Sequence, residues 1–119
     1  MKLAVTSTGP DLDSPVDPRF GRAAYILIID ADTMAVEVLD NAENVNAFKG
    51  AGIQAATLIS DKRADVLLTG FCGPNAFKTL EAARVKVAGD VSGTVREAVT
   101  AFVDGKVNTV TAPNTQGHW

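Results

Sequence analysis

The sequence predicts a three-layer α/β domain on a mixed five-stranded sheet, with helices on both faces. Three observations carry this expectation. Two aliphatic, β-branched runs near the start, "AYILIID" (24–30) and "MAVEVL" (34–39), are joined by Asp30-Ala31-Asp32-Thr33, which is turn chemistry for an antiparallel hairpin. After residue 50 the apolar period changes from two to about 3.6. Finally, "ADVLLTG" (64–70) is apolar throughout, as a strand is when helices cover both faces of a parallel sheet.

Each element follows from its residues. "KLAVTS" (2–7) reads as a first strand. "TGPDLDSPVDPRFG" (8–21) must be a loop, because Pro10, Pro15 and Pro18 each remove an N–H donor and disfavour the helical region before them. In "AGIQAATLISDKR", Ala51, Ala55, Leu58 and Ile59 share one helical face. Pro74 suits the first position of a helix that buries Ala76, Phe77, Leu80 and Ala83. "VKVAG" (85–89) is a short strand. Thr94 and Glu97 have capping-box spacing ahead of Val95, Ala98, Val99 and Phe102. The order is β-β-β-α-β-α-β-α. One domain over residues 1–107 is expected, followed by an irregular tail at 108–119.

Composition narrows the function. A chain of 119 residues can bury a core without staples, and 46% hydrophobic with 21% charged residues is an ordinary globular mix. Net charge is −3, which argues against nucleic-acid binding through a broad basic surface. An anionic ligand would have to be met locally. No apolar run reaches the length of a membrane span, and Met1-Lys2 leads straight into a strand instead of a signal peptide. Cys72 is the sole cysteine, so no internal disulfide forms, and a reducing, cytoplasmic setting is expected.

Several stretches carry candidate chemistry. In "TGFCGPNAF" a buried strand ends at Gly70 and a helix starts near Pro74, so free N–H groups around Phe71, Cys72, Gly73, Pro74 and Asn75 can face an anion. "GDVSGTV" repeats the arrangement with Val91, Ser92 and Gly93. Glycines and caps are also what any tight βα turn requires, and neither stretch fits a phosphate-loop or dinucleotide fingerprint. Cys72 reads two ways: a helix-start thiol tending toward thiolate and able to ligate copper, or a small half-buried apolar residue. His118, beside Trp119, is either a ligand on a tail or an ordinary terminal residue. Asp11, Asp13 and Asp17 lack the spacing of a calcium loop and read as solvated carboxylates.

"DPRFGR" (17–22) is the most pointed stretch. Arg19 and Arg22 each carry a permanent planar charge suited to polyanions, Phe20 adds an apolar surface, and Gly21 permits close backbone approach. The competing reading is an Arg19–Asp17 surface salt bridge of little worth. With three prolines and little to bury, this loop is expected to be mobile without a ligand.

"VDPRFGRAAYILIID", "GAGIQAATLI", "ADVLLTGFCGPNAFKTLEAARVKV" and "GTVREAVTAFVDGKV" follow in order the pattern of the dinitrogenase iron–molybdenum cofactor biosynthesis family, to about Val107. The chain resembles that family over nearly its whole length, most specifically in D-x-R-F-G-R. The resemblance implies a ribonuclease H-like fold and a carrier, not an enzyme. It implies as cargo a molybdenum–copper sulfide cluster, or a related molybdenum or iron–sulfur cluster, held mainly without covalent attachment. Arg19 and Arg22 would then supply charge, Phe20 and Phe71 apolar walls, and the Gly70–Asn75 and Val91–Gly93 turns N–H groups. Cys72 would be the one candidate metal ligand. A monomer or a weak, ligand-linked dimer is expected. Two other readings stay open: a regulatory or assembly partner that docks on another protein, and a metal-dependent nuclease. The nuclease needs converging carboxylates, one of them on the first strand, and "KLAVTS" has none.

Overall fold

The computed structural model describes residues 1–41 and 51–112. Five strands form one sheet: β1 (Lys2–Ser7), β2 (Tyr25–Asp30), β3 (Val36–Asp40), β4 (Val66–Leu68) and β5 (Lys86–Ala88). Three helices accompany them: α1 (Ala51–Asp61), α2 (Pro74–Ala82) and α3 (Val95–Val103). The element order is the expected one. Strand order across the sheet is β3-β2-β1-β4-β5, with β1–β2 and β2–β3 antiparallel and β1–β4 and β4–β5 parallel. This is the mixed sheet of the ribonuclease H-like expectation.

Strand alternation divides the core into two layers. Ala4, Ile26, Ile28, Leu67 and Val87 face α1 and α2, meeting Ala55, Ile59, Phe77 and Leu80. Leu3, Val5, Leu27, Ile29, Val66 and Leu68 face α3, meeting Val95, Ala98 and Val99. Ala83 is not part of the first layer; it caps the end of α2 and is exposed. The expected capping box is formed: Thr94 Oγ1 accepts the Glu97 N–H at 3.1 Å, and the Thr94 N–H donates back to Glu97 Oε1 at 3.0 Å. Those hydrogen bonds favour the ionised Glu97 and lower its pKa.

The hairpin turn is organised by Asp30. Its Oδ1 accepts N–H bonds from Asp32 at 2.8 Å and Thr33 at 3.3 Å, which lower its pKa. Met34 takes a left-handed conformation in that turn, so β3 begins at Val36 and not at Met34. Beyond α3, Val107 packs on the α3 layer and Val110 forms an isolated antiparallel bridge to Val87. The irregular tail is therefore tied to the sheet at that point. Residues 113–119, with His118 and Trp119, lie outside the described residues.

β1, β4 and β5 are parallel, so their carboxyl ends share one edge of the sheet. The proline-rich loop and the Gly70–Asn75 and Val91–Gly93 turns all leave from this edge. Open α/β sheets bind ligands at such edges.

Candidate functional site

The arginine loop is stitched down along its length. The Asp17 N–H donates to Thr6 O at 2.9 Å, the Val16 N–H to Gly93 O at 2.8 Å, and the Thr8 N–H to Pro15 O at 3.0 Å. Asn41 Nδ2 donates to the carbonyls of Gly21 and Ala23 at 3.1 and 2.8 Å, closing the far end. The expectation of a loop with little to bury is corrected on this ground. Prolines lack N–H groups but keep their carbonyls, and this loop uses them.

One backbone contact sorts the candidates. Phe71 N–H donates to Pro18 O at 2.8 Å and Phe20 N–H donates to Phe71 O at 3.2 Å, so Arg19 and Phe71 pair as in a parallel sheet. Paired residues of a parallel bridge share a face, and their chain neighbours point the other way. Arg19 and Phe71 accordingly lie on the solvent side, with Phe71 37% exposed and the Arg19 side chain 50% exposed. Phe20 and Cys72 point inward, 2% and 1% exposed, into the α1/α2 core layer. Phe20, expected as an apolar wall, is instead packed in the core, where it anchors the loop. Of the two phenylalanines, only Phe71 is open to solvent.

Gly21 and Gly70 make this geometry accessible. Gly21 has φ +95°, and a Cβ there would stand 2.8 Å from the Gly52 backbone. A Cβ on Gly70 would stand 2.6 Å from Pro18 Cα. Arg22 is half-buried on the same loop, its N–H bonded to Arg19 O at 3.3 Å.

The two helix starts differ. Gly73 is the N-cap of α2 with no side-chain cap bond, and Pro74 lacks an N–H, which leaves the N–H groups of Asn75 and Ala76 at an uncapped positive helix end. At α3 the donors are consumed. The N–H of Val95 goes to Ser14 O at 2.9 Å, that of Arg96 to Leu12 O at 2.8 Å, and that of Glu97 to Thr94. Val91 is buried with its N–H bonded to Thr69 O at 3.0 Å, while Ser92 and Gly93 are exposed. The Val91–Gly93 turn therefore holds the arginine loop through Gly93 O and has no open helix start to offer an anion.

Cys72 departs from the thiolate expectation. Burial pushes its thiol from an ordinary 9.0 up to about 12, because a thiolate in this apolar layer would be desolvated. Its Sγ lies 3.8 Å from Gly73 O. A raised pKa favours the protonated fold, so this contribution to stability is present below about pH 9 and is lost as pH climbs toward 12. Cys72→Ala should flatten the alkaline fall in stability by about 1.4 kcal/mol per pH unit in that window. Urea melts of both proteins from pH 8 to 11 check this, and parallel slopes would refute the buried-thiol assignment.

The remaining carboxylates serve the loop. Asp11 Oδ1 accepts from the Asp13 N–H at 3.0 Å and from Ser14 Oγ at 3.2 Å, and Asp13 pairs with Arg96 at 3.1 Å. Asp32 lies 3.6 Å from the amino terminus. Asp17, expected on the surface, is buried. Among the described residues no three His, Cys, Asp or Glu side chains converge as a metal site. Sequence reasoning missed Thr6, Thr69 and Asn41, which hold the loop. Their polar side chains at the ends of apolar runs were the available signal.

Fold and edge together define an α/β domain that presents an arginine, a phenylalanine and an open helix start at the carboxyl ends of its parallel strands. The chain belongs to the family described as dinitrogenase iron–molybdenum cofactor, whose model matches residues 1–105. It is similar to the apo form of the orange protein from Desulfovibrio gigas, at 50% identity over 96% of both chains with a TM-score of 0.93. It is also similar to a NifB-like protein of the DUF35 family from Thermotoga, at 37% identity over 98% of both chains with a TM-score of 0.83. A dinitrogenase-related structure from Methanocaldococcus jannaschii, 15% identical over 95% of this chain and 97% of its own, with a TM-score of 0.68, shares the fold. No curated protein sequence matches. Among the described residues no helix is long and apolar enough to cross a membrane.

Proposed function

We propose that the protein is a non-catalytic carrier that stores or delivers an anionic molybdenum–sulfur cluster, with a molybdenum–copper sulfide as the leading cargo. The observation that carries this reading is the outward pairing of Arg19 and Phe71 beside the uncapped start of α2. Among the described residues the terminal guanidinium nitrogens of Arg19 meet no protein acceptor, so their donors remain available. A thiometallate is anionic, soft and weakly hydrated. Guanidinium is itself weakly hydrated, which makes it a better partner for such an ion than an ammonium is. Phe71 covers the cargo's less solvated surface, the N–H groups of Asn75 and Ala76 meet terminal sulfides, and Arg22 adds a second charge. The family's link to the iron–molybdenum cofactor supports the class of cargo, and a relative described in an apo form implies a loaded counterpart.

The carboxylates of the arginine loop are committed to turns and ion pairs, which gives the nuclease alternative no support. Anaerobic mixing of the apo protein with tetrathiomolybdate and a copper salt, followed by desalting, tests the proposal. Wild type should retain a visible chromophore, and Arg19→Ala combined with Arg22→Ala should lose it. No retained colour in wild type would reject the proposal. Loss in Cys72→Ser would instead make copper–thiolate ligation, and release of Cys72 from the core, the better account.

A further inference from the structure

Asp17 is the only buried charged side chain among the described residues, and it sits directly beneath Arg19. Its backbone is fixed from below by two fully buried threonines. Thr6 Oγ1 donates to Asp17 O at 2.7 Å. That commits the Thr6 proton, so the Thr69 hydroxyl, 2.8 Å away, donates to Thr6 Oγ1. On this base Asp17 Oδ1 accepts the Arg19 N–H at 3.0 Å and lies 3.5 Å from Arg19 Nε. Among the described residues Arg19 is the only cation paired with it.

We infer that Asp17 is the positioning residue of the anion site. Its carboxylate holds the Nε side of the Arg19 guanidinium by charge, at ion-pair distance, and leaves the two terminal nitrogens for the cargo. A carboxylate with 4% of its side chain exposed is poorly hydrated and depends on its cation, which keeps Arg19 in one pose before cargo arrives. The functional half of this inference rests on the cargo reading above. Simple electrostatics gives the opposite expectation, since removing an anion beside an anion site should tighten binding.

The test compares wild type with Asp17→Asn, which keeps an oxygen for the Arg19 N–H but removes the charge. Arg19→Lys, which keeps the charge but lacks Nε, is the second variant. In the apo protein, proton–nitrogen NMR should show the Arg19 Nε–H, assigned by its loss in Arg19→Lys, shifting and exchanging faster with water in Asp17→Asn. An unmoved Nε–H signal would overturn the inference, whatever the protein does with cargo. In titrations with tetrathiomolybdate and copper, both variants should bind about tenfold more weakly than wild type. Equal or tighter binding by Asp17→Asn overturns the positioning role and leaves the cargo site standing. If wild type takes up no chromophore, the cargo reading fails and the apo spectra still decide Asp17. Should Asp17→Asn not fold, wild-type affinity in Arg19→Lys, whose side chain is half exposed, overturns the inference.

Discussion

Phe20→Ala should lower the free energy of unfolding by about 3–5 kcal/mol, as expected when a fully buried phenylalanine is truncated and its space cannot close. The ring is 2% exposed and packs in the layer with Ile26, Ile28, Ala55 and Phe77. It is also the only aromatic anchor of the proline-rich loop. Since domains of this size have total stabilities of about 5–15 kcal/mol, the variant would lose a large share. The matched change Phe71→Ala gives the opposite profile. That ring is partly exposed and belongs to neither core layer, so stability should change by less than about 1 kcal/mol while chromophore retention falls. Urea melts at constant m-value, with desalting retention measured in parallel, separate the two residues. A Phe20→Ala protein of wild-type stability that loses only its colour would return Phe20 to the binding surface.

Gly70→Ala should be nearly as costly, by about 2–4 kcal/mol, through a different mechanism. The added Cβ would fall 2.6 Å from Pro18 Cα and 2.7 Å from Pro18 O, and neither backbone atom can rotate away. Relief requires the two chains to part, which breaks the 2.8 Å bond from Phe71 N–H to Pro18 O and with it the pairing of Arg19 with Phe71. Retention of cargo should therefore fall along with stability. Gly105→Ala is the control of opposite kind: it carries the cost of a positive φ, at +78°, which Gly70 does not have, and nothing lies within 4 Å of the new carbon. It should cost about 1 kcal/mol and leave retention unchanged. A Gly70→Ala protein with wild-type stability and retention would mean that the close approach to Pro18 has no energetic weight.

The elements were legible because each is specified locally. Alternation marks β1, aliphatic and β-branched runs mark β2 and β3, an i, i+4 spacing marks the helices, and Thr94 with Glu97 marks the start of α3 through side chains three residues apart. Where reading failed, a longer-range partner decided. Met34 looks like strand but is turned by Asp30, four residues earlier. The prolines of the 8–21 loop suggested little to bury, yet the carbonyls of Pro15 and Pro18 accept the Thr8 and Phe71 N–H groups at the sheet end.

The same division runs through the site. The residues alone state the chemistry on offer: Arg19 and Arg22, Phe20 and Phe71, the Cys72 thiol, two glycine-containing turns and a net charge that confines any anion binding to a small area. Which of these face outward depends on contacts made in the folded chain. Phe20 and Phe71 are indistinguishable by residue type, as are the two helix starts by composition. One parallel bridge between residues 52 positions apart sets Arg19 and Phe71 toward solvent and turns Phe20 and Cys72 into the core. The fold of the arginine loop fills the donors of α3 with Ser14 and Leu12 carbonyls and leaves those of α2 uncapped. Side-chain direction in an irregular loop is fixed by the strand it pairs with, and that partner is not written in the loop's own residues.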